Sequence, residues 1–272
     1  MIRHAGSAAD PALAPFRYRE RQLNTRLHRR GERDDAQFVA EGDLVVGRAI
    51  VAGHVPDVIL CDPSLVDGLV SSHGSLLDST DIVTAEEVVR RNATGLAVAL
   101  GVVGLFPKLP VAPLEEVIAT KTRILVLSQV DNPTNVGAIV RSAAAFGFTG
   151  LVLDSETSDP FARRALRVAM GTTFSMRIAR VDDLRDALDA LHAAGHTTCS
   201  LTPAADAVNL DDISLPGDKV ALLLGSERDG LPDSVMASSN MKVRIPMHPG
   251  VDSLNVAAAA AVACYGLTRR NG

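Results

Sequence analysis

The chain has no tryptophan, and aromatic residues fill only 3% of its 272 positions. A sheet face that reads single-stranded RNA by stacking needs several exposed rings, so that class is disfavoured. Cys61, Cys199 and Cys264 are single and far apart, a spacing that suits neither a disulfide framework nor a zinc site. No apolar run is long enough to cross a membrane, and the N-terminus lacks the apolar core of a signal peptide; the expectation is a cytoplasmic protein with no membrane partner. Several chemistries fail on spacing. No G-x-G-x-x-G follows a first strand and no G-x-x-x-x-G-K-[ST] occurs, which disfavours dinucleotide and phosphate-loop folds. Gly225-Ser226-Glu227 is not the G-x-S-x-G elbow of hydrolases. No His-Glu-x-x-His appears, and His192 and His196 are separated by Gly195, so no metal is expected.

What is present fits a globular α/β protein of one large or two smaller domains, with 47% hydrophobic and 22% charged residues. The net charge of −5 is unevenly spread. Residues 1–33 hold eight arginines (3, 17, 19, 21, 26, 29, 30 and 33) against Asp10, Glu20 and Glu32, a balance of +5 that leaves −10 for the remainder. A basic arm of this kind suits contact with phosphates; a solvated, partly helical segment is the plainer reading.

In order, residues 1–15 are rich in Ala, Pro and Gly and read as disordered, and Arg17 to Arg30 as a basic helix ending at Gly31. A small α/β domain spans 34–106, with a helix over Glu41–Ala52, strands at Asp57–Cys61, Asp81–Thr84 and Gly95–Val103, and His54 and His73 at the surface. Residues 107–121 lie in a proline-rich stretch read as a linker. The second domain, 122–272, alternates strands at Arg123–Leu127, Gly150–Leu153, Ser175–Ile178, His196–Leu201 and Val220–Leu224 with helices, including one near Pro160–Met170. Such alternation predicts a mostly parallel sheet with helices on both faces.

Ligands of open α/β sheets bind where loops leave the carboxyl ends of strands. Three such loops carry unusual residues. In DNPTNVGAIVRSAAAFGF, 131–148, Asn135 opens a helix on which Gly137 and Arg141 share a face with small residues. In ALLLGSERDGLP, 221–232, a buried strand ends at Leu224, Gly225 permits close backbone approach, and Glu227 can accept hydrogen bonds. In VRIPMHPGVDSLNVAAAAAVACY, 243–265, a strand and loop precede a helix capped by Asp252 or Ser253 and continued by small residues.

Taken in order, N-x-x-N-x-G-A-I-x-R-S-A, L-L-x-G-S-E-x-x-G-L and I-P-M…S-L-N-V-A closely resemble the three motifs of SpoU (TrmH-type) ribose 2′-O-methyltransferases of the SPOUT class, over about 123–268. FVAEGDLVVGRAI is similar to the L30e/L7Ae-like substrate-binding domain often joined to that catalytic domain. The resemblance implies S-adenosylmethionine as donor, a ribose 2′-hydroxyl of rRNA or tRNA as acceptor, a homodimer through the catalytic domain and a C-terminal trefoil knot. It places Leu224, Gly225, Ile245, Met247, Ser253 and Leu254 around the donor, and Asn135, Arg141, Glu227, Ser253 and Asn255 in the catalytic group.

Arginine serves badly as a general base, because guanidinium is effectively always protonated. The expected role of Arg141 is to hold an RNA phosphate and stabilise the developing alkoxide, with Glu227 and Asn135 orienting it. Two alternatives remain at this stage: a knotted RNA-binding or assembly protein without turnover, and another α/β enzyme acting on small nucleotides.

Overall fold

The computed structural model describes residues 1–24 and 35–269. The chain forms two compact units: Met1–Pro110 with Phe161–Phe174, and Val111–Pro160 with Ser175–Gly272.

The first unit is built on a mixed five-stranded sheet in the order β1-β4-β3-β5-β2, with β1 at Ile2–His4, β2 at Gln37–Glu41, β3 at Val58–Cys61, β4 at Asp81–Thr84 and β5 at Val102–Pro107. Residues 1–15 are not the expected disordered tail. β1 runs parallel to β4, and Leu13 and Phe16 are buried with Val39, Leu60 and Val83. Of the basic helix read over Arg17–Arg30, Glu20–Leu23 is a described α-helix and Arg17 ends the 3-10 helix Pro11–Arg17; Arg26, Arg29, Arg30 and Arg33 lie outside the described residues. The helix read from Glu41 begins at Asp43, because Glu41 closes β2 in antiparallel register with Val103.

Glu41 also explains why the helix Arg163–Val168, read as part of the second domain, belongs with the first unit. Its carboxylate is buried and meets Arg163 at 3.7 Å and Arg167 at 3.2 Å. A carboxylate removed from water needs such partners. His54, expected at the surface, is buried against Phe38, Phe161 and Phe174; desolvation lowers its pKa.

The second unit carries seven strands: β6 at Arg123–Leu127, β7 at Gly150–Leu153, β8 at Arg177–Arg180, β9 at Thr197–Leu201, β10 at Val208–Asn209, β11 at Val220–Leu224 and β12 at Met241–Arg244. They lie in the order β10-β12-β9-β11-β6-β7-β8, and every pairing is parallel. Parallel strands buried on both faces need continuous apolar runs, which RILVL and VALLL supply. Ile124, Val126, Ala221 and Leu223 pack with the helix Leu184–Ala193. The stretch read as a linker contains the helix Leu114–Thr120, whose Val117 and Ile118 enter that same core. The helix Val256–Thr268 packs on β11 and on the helix Pro133–Ala145. Among the described residues no helix is long and apolar enough to cross a membrane.

Candidate active site

The loops that follow β9, β11 and β12 meet around a cavity of about 400 Å³ at the carboxyl ends of these strands. That volume lies within the roughly 300–1,000 Å³ typical of small-molecule sites. All six residues expected around a donor line it: Leu224, Gly225, Ile245, Met247, Ser253 and Leu254. The sequence reading missed Leu201 at the end of β9 with Thr202 and Pro203 after it, and Leu231, Met236 and Ala259, which also line the cavity. No local signal announces that β9 lies beside both β11 and β12.

Gly225 has a reason for being glycine besides the close approach of a ligand. A Cβ built on it would fall 2.1 Å from the carbonyl carbon of Gly230 and 2.3 Å from the amide nitrogen of Leu231. The loop folds back on itself: Ser226 and Gly230 exchange backbone hydrogen bonds at 3.2 Å, and Gly230 turns with φ +70°. Glycine therefore lets the chain cross itself at the cavity's edge.

Asn255 joins the three motif loops. Its side-chain oxygen accepts from the amides of Ala257 at 3.0 Å and Ala258 at 3.3 Å, so Asn255, rather than Asp252 or Ser253, caps the last helix. Gly250, with φ +89°, and a turn from Val251 N–H to His248 C=O delay the helix past those two residues. The amide nitrogen of Asn255 donates to Glu227 Oε1 and, at 3.3 Å, to Asn135 Oδ1. Asn135 is itself buried in the first turn of the helix that Asn132 caps through Thr134 N–H at 2.9 Å.

Arg141 stands apart from this group. It is exposed, lines neither that cavity nor a polar one beside it, and its side chain has no hydrogen bond or ion pair among the described residues. The expected orientation of Arg141 by Glu227 and Asn135 is absent, because both turn to Asn255. Ser253 lines the cavity and does not join the Asn135–Asn255–Glu227 chain.

Burial raises the pKa of Cys199 and of Cys264 to about 12, so neither is a thiolate at neutral pH. No group of metal-ligating side chains occurs among the described residues. His192 meets Thr198 Oγ1 at 2.7 Å, and His196 the Lys121 carbonyl at 2.9 Å.

The family model for the SpoU rRNA Methylase family matches residues 122–265. This chain belongs to that family. The SpoU segment spans the whole cavity and the Asn135–Asn255–Glu227 chain. The likeness extends beyond it: an uncharacterized tRNA/rRNA methyltransferase of Mycobacterium bovis is 31% identical over 264 residues, covering 96% of this chain and 89% of that protein. The 23S rRNA (guanosine(2553)-2′-O)-methyltransferase RlmP of Bacillus subtilis is 27% identical, covering 89% of this chain and 93% of RlmP. Among solved structures, the AdoMet-bound rRNA methyltransferase of Sinorhizobium meliloti superposes with a TM-score of 0.83 at 28% identity, covering 98% of each chain.

The double duty of Asn255 yields a prediction. Asn255→Ala removes the cap and lowers stability by about 1 kcal/mol in urea titration, while leaving Glu227 without its amide partner. Asn255→Asp restores the cap but sets two carboxylates side by side. It should recover stability without recovering activity; a fully active Asp variant would reject the pairing with Glu227 as functionally relevant.

Proposed function

We infer that this protein is a cytoplasmic S-adenosylmethionine-dependent methyltransferase that modifies a ribose 2′-hydroxyl of rRNA or tRNA. The observation that carries the reading is the convergence of all three motif loops through Asn255 beside an apolar cavity of about 400 Å³. The names and bound donor of the relatives support it. The cavity fits the donor in kind: Leu224, Leu231, Ile245, Met247 and Leu254 give apolar walls for a nucleoside, and the backbone around Gly225 offers polar groups close at hand.

When bound, the donor supplies a methyl group already activated by its sulfonium. The protein's tasks are then positioning and proton management. Asn255 fixes Glu227 and Asn135 relative to the helix it caps, so the edge of the donor cavity is held by hydrogen bonds from three separate loops. Arg141 offers a permanent charge to the RNA phosphate and to the oxygen that loses its proton. The phosphate or a water accepts that proton, since guanidinium does not.

In this reading the 34–106 domain selects the RNA, and the basic segment 1–33 adds non-specific phosphate affinity. A homodimer through the catalytic domain belongs to the same picture, as does the family's knotted C-terminal passage. One face of the last helix is buried in its own unit, while Val262, Tyr265 and the preceding Leu254 remain exposed. Sedimentation at micromolar concentration should give a dimer, and a purely monomeric species would reject that surface as an interface. The function itself is tested by mapping 2′-O-methylation in total RNA from a deletion strain and its parent, with calorimetry of the purified chain against donor and demethylated product. One mark should disappear and both ligands should bind. An unchanged map together with no heat would refute the assignment.

A further inference from the structure

The loop that leads from β6 into the helix Pro133–Ala145 is tied down residue by residue. The amide of Ser128 donates to the Leu224 carbonyl at 2.9 Å. That of Gln129 donates to Asp154 Oδ2 at 2.8 Å, and that of Val130 to Thr157 Oγ1 at 3.2 Å. The Val130 carbonyl accepts from the Ser158 amide at 2.9 Å, and the Asp131 carbonyl from the Ser158 hydroxyl. Backbone groups outside regular structure need partners of this kind once water is excluded. The segment 154–158, which follows β7, supplies most of them.

Asp154 is the centre of this clamp. It is buried together with Ser128 and Thr157, and its carboxylate meets four donors. Oδ2 accepts from the Gln129 amide and from Ser128 Oγ at 3.2 Å. Oδ1 accepts from the amides of Glu156 at 3.2 Å and Thr157 at 2.7 Å. Arg180 braces the segment from β8, the other neighbour of β7, by donating to the carbonyls of Asp154 and, at 3.2 Å, Thr157. The clamp holds a strained shape. Gln129 has φ +56°, a left-handed conformation that is costly for any residue with a Cβ. Such backbone persists where its surroundings over-determine it, and it gathers at functional sites.

The strained loop runs directly into the catalytic group. Asn132 caps the helix through Thr134 N–H, and Asn135 in its first turn meets the Asn255 side-chain amide at 3.3 Å. A shift of about 0.3 Å carries that contact out of hydrogen-bonding range. Among the described residues that line the donor cavity, none belongs to 128–135, so this loop can move without disturbing the donor.

We propose that Asp154 is a positioning residue for methyl transfer: by holding Ser128 to Asp131 in their strained shape, it keeps Asn135 within reach of Asn255. The proposal rests on the methyltransferase reading above.

The test is Asp154→Asn in the full chain. An amide accepts through one oxygen only, so one of the two pairs of donors loses its partner. S-adenosylhomocysteine binding, measured by calorimetry, counts the folded chains and should match the wild type in affinity and stoichiometry. Methyl transfer from labelled donor to total RNA of the deletion strain should fall about 10²-fold in kcat, the usual cost of a small misplacement, with KM for the donor unchanged. The same substitution is then made on Gln129→Gly. Glycine takes the left-handed shape unaided, so the loss caused by Asp154→Asn should shrink by about 5- to 30-fold in that background. Wild-type kcat per binding site, loss of S-adenosylhomocysteine binding, or an equal rate loss in both backgrounds each overturns the positioning role. If Asp154→Asn does not fold, Thr157→Val decides. It keeps the shape of the side chain and frees only the Val130 amide, so a smaller fall in kcat with unchanged donor binding supports the clamp, and unchanged kcat overturns it. A wild-type chain that neither binds S-adenosylhomocysteine nor methylates that RNA removes the reaction itself, and the proposal with it.

Discussion

Gly225→Ala should leave a folded protein that binds the donor about 10²-fold more weakly. The added methyl would lie 2.1 Å from the Gly230 carbonyl carbon and 2.2 Å from its oxygen. These are backbone atoms, so no side-chain rotation relieves the clash, and one strand of the crossing must move. β11 cannot yield easily, because it is paired on both sides in the middle of the sheet. Leu231 is buried in the core just beyond the loop and resists from the other end. The displacement therefore falls on Ser226 to Gly230, which line the cavity. Overpacking of this kind costs about 1–3 kcal/mol in stability. A shift of about 1 Å at a positioned site costs on the order of 10²-fold in rate. Donor affinity should drop by a similar factor in calorimetry, and methyl transfer should fall with it. Gly230→Ala is the control. Its Cβ would meet nothing within 4 Å, so only the strain of φ +70° remains, about 1–2 kcal/mol. A Gly225→Ala variant that binds the donor like the wild type would show that the crossing is dispensable.

The contrast between these two glycines illustrates what sequence could and could not convey. That Gly225 ends a buried strand next to a ligand loop was readable from VALLL followed by Gly-Ser-Glu, because strand ends and loop chemistry are local. That its partner is Gly230 was not, since the backbone crossing arises only when the loop closes. The same division runs through the chain. Alternating apolar runs disclosed the parallel sheet, but not that β9 lies beside β11 and β12 and lends Leu201 and Thr202 to the cavity. Asp252, Ser253 and Asn255 are all good capping residues, and only the turn at Gly250 decides among them. Ile2–His4 is three residues long in an Ala- and Pro-rich segment, and its strand exists because β4 offers a free edge about eighty residues later. Glu41 reads as an ordinary helix-start acid. Its burial, and hence the recruitment of Arg163 and Arg167, depends on a chain segment more than a hundred residues away.

Arg141→Ala should leave donor binding nearly intact and lower the rate of methyl transfer by about 10²–10³-fold, the usual cost of deleting one donor that meets charge developing in the transition state. The guanidinium lines no wall of the donor cavity and has no partner among the described residues, so its removal neither opens that cavity nor leaves a buried group unsatisfied. Stability should change by less than about 0.5 kcal/mol, as for other exposed side chains away from structural contacts. The loss should therefore sit in single-turnover rate, with thermal stability and calorimetric donor affinity as unchanged references. Arg141→Lys distinguishes the two chemical roles. If the residue acts as a fixed positive charge, lysine retains the charge but loses the planar fork, and activity should be partial with an unshifted pH profile. If it were the base, lysine, with its lower and more easily shifted pKa, should take over proton removal and move the optimum to lower pH. Wild-type rate with such a shift would reject the electrostatic role. An Ala variant that also fails to bind the donor would reject both roles and make Arg141 a support of the fold, a result that its exposure argues against.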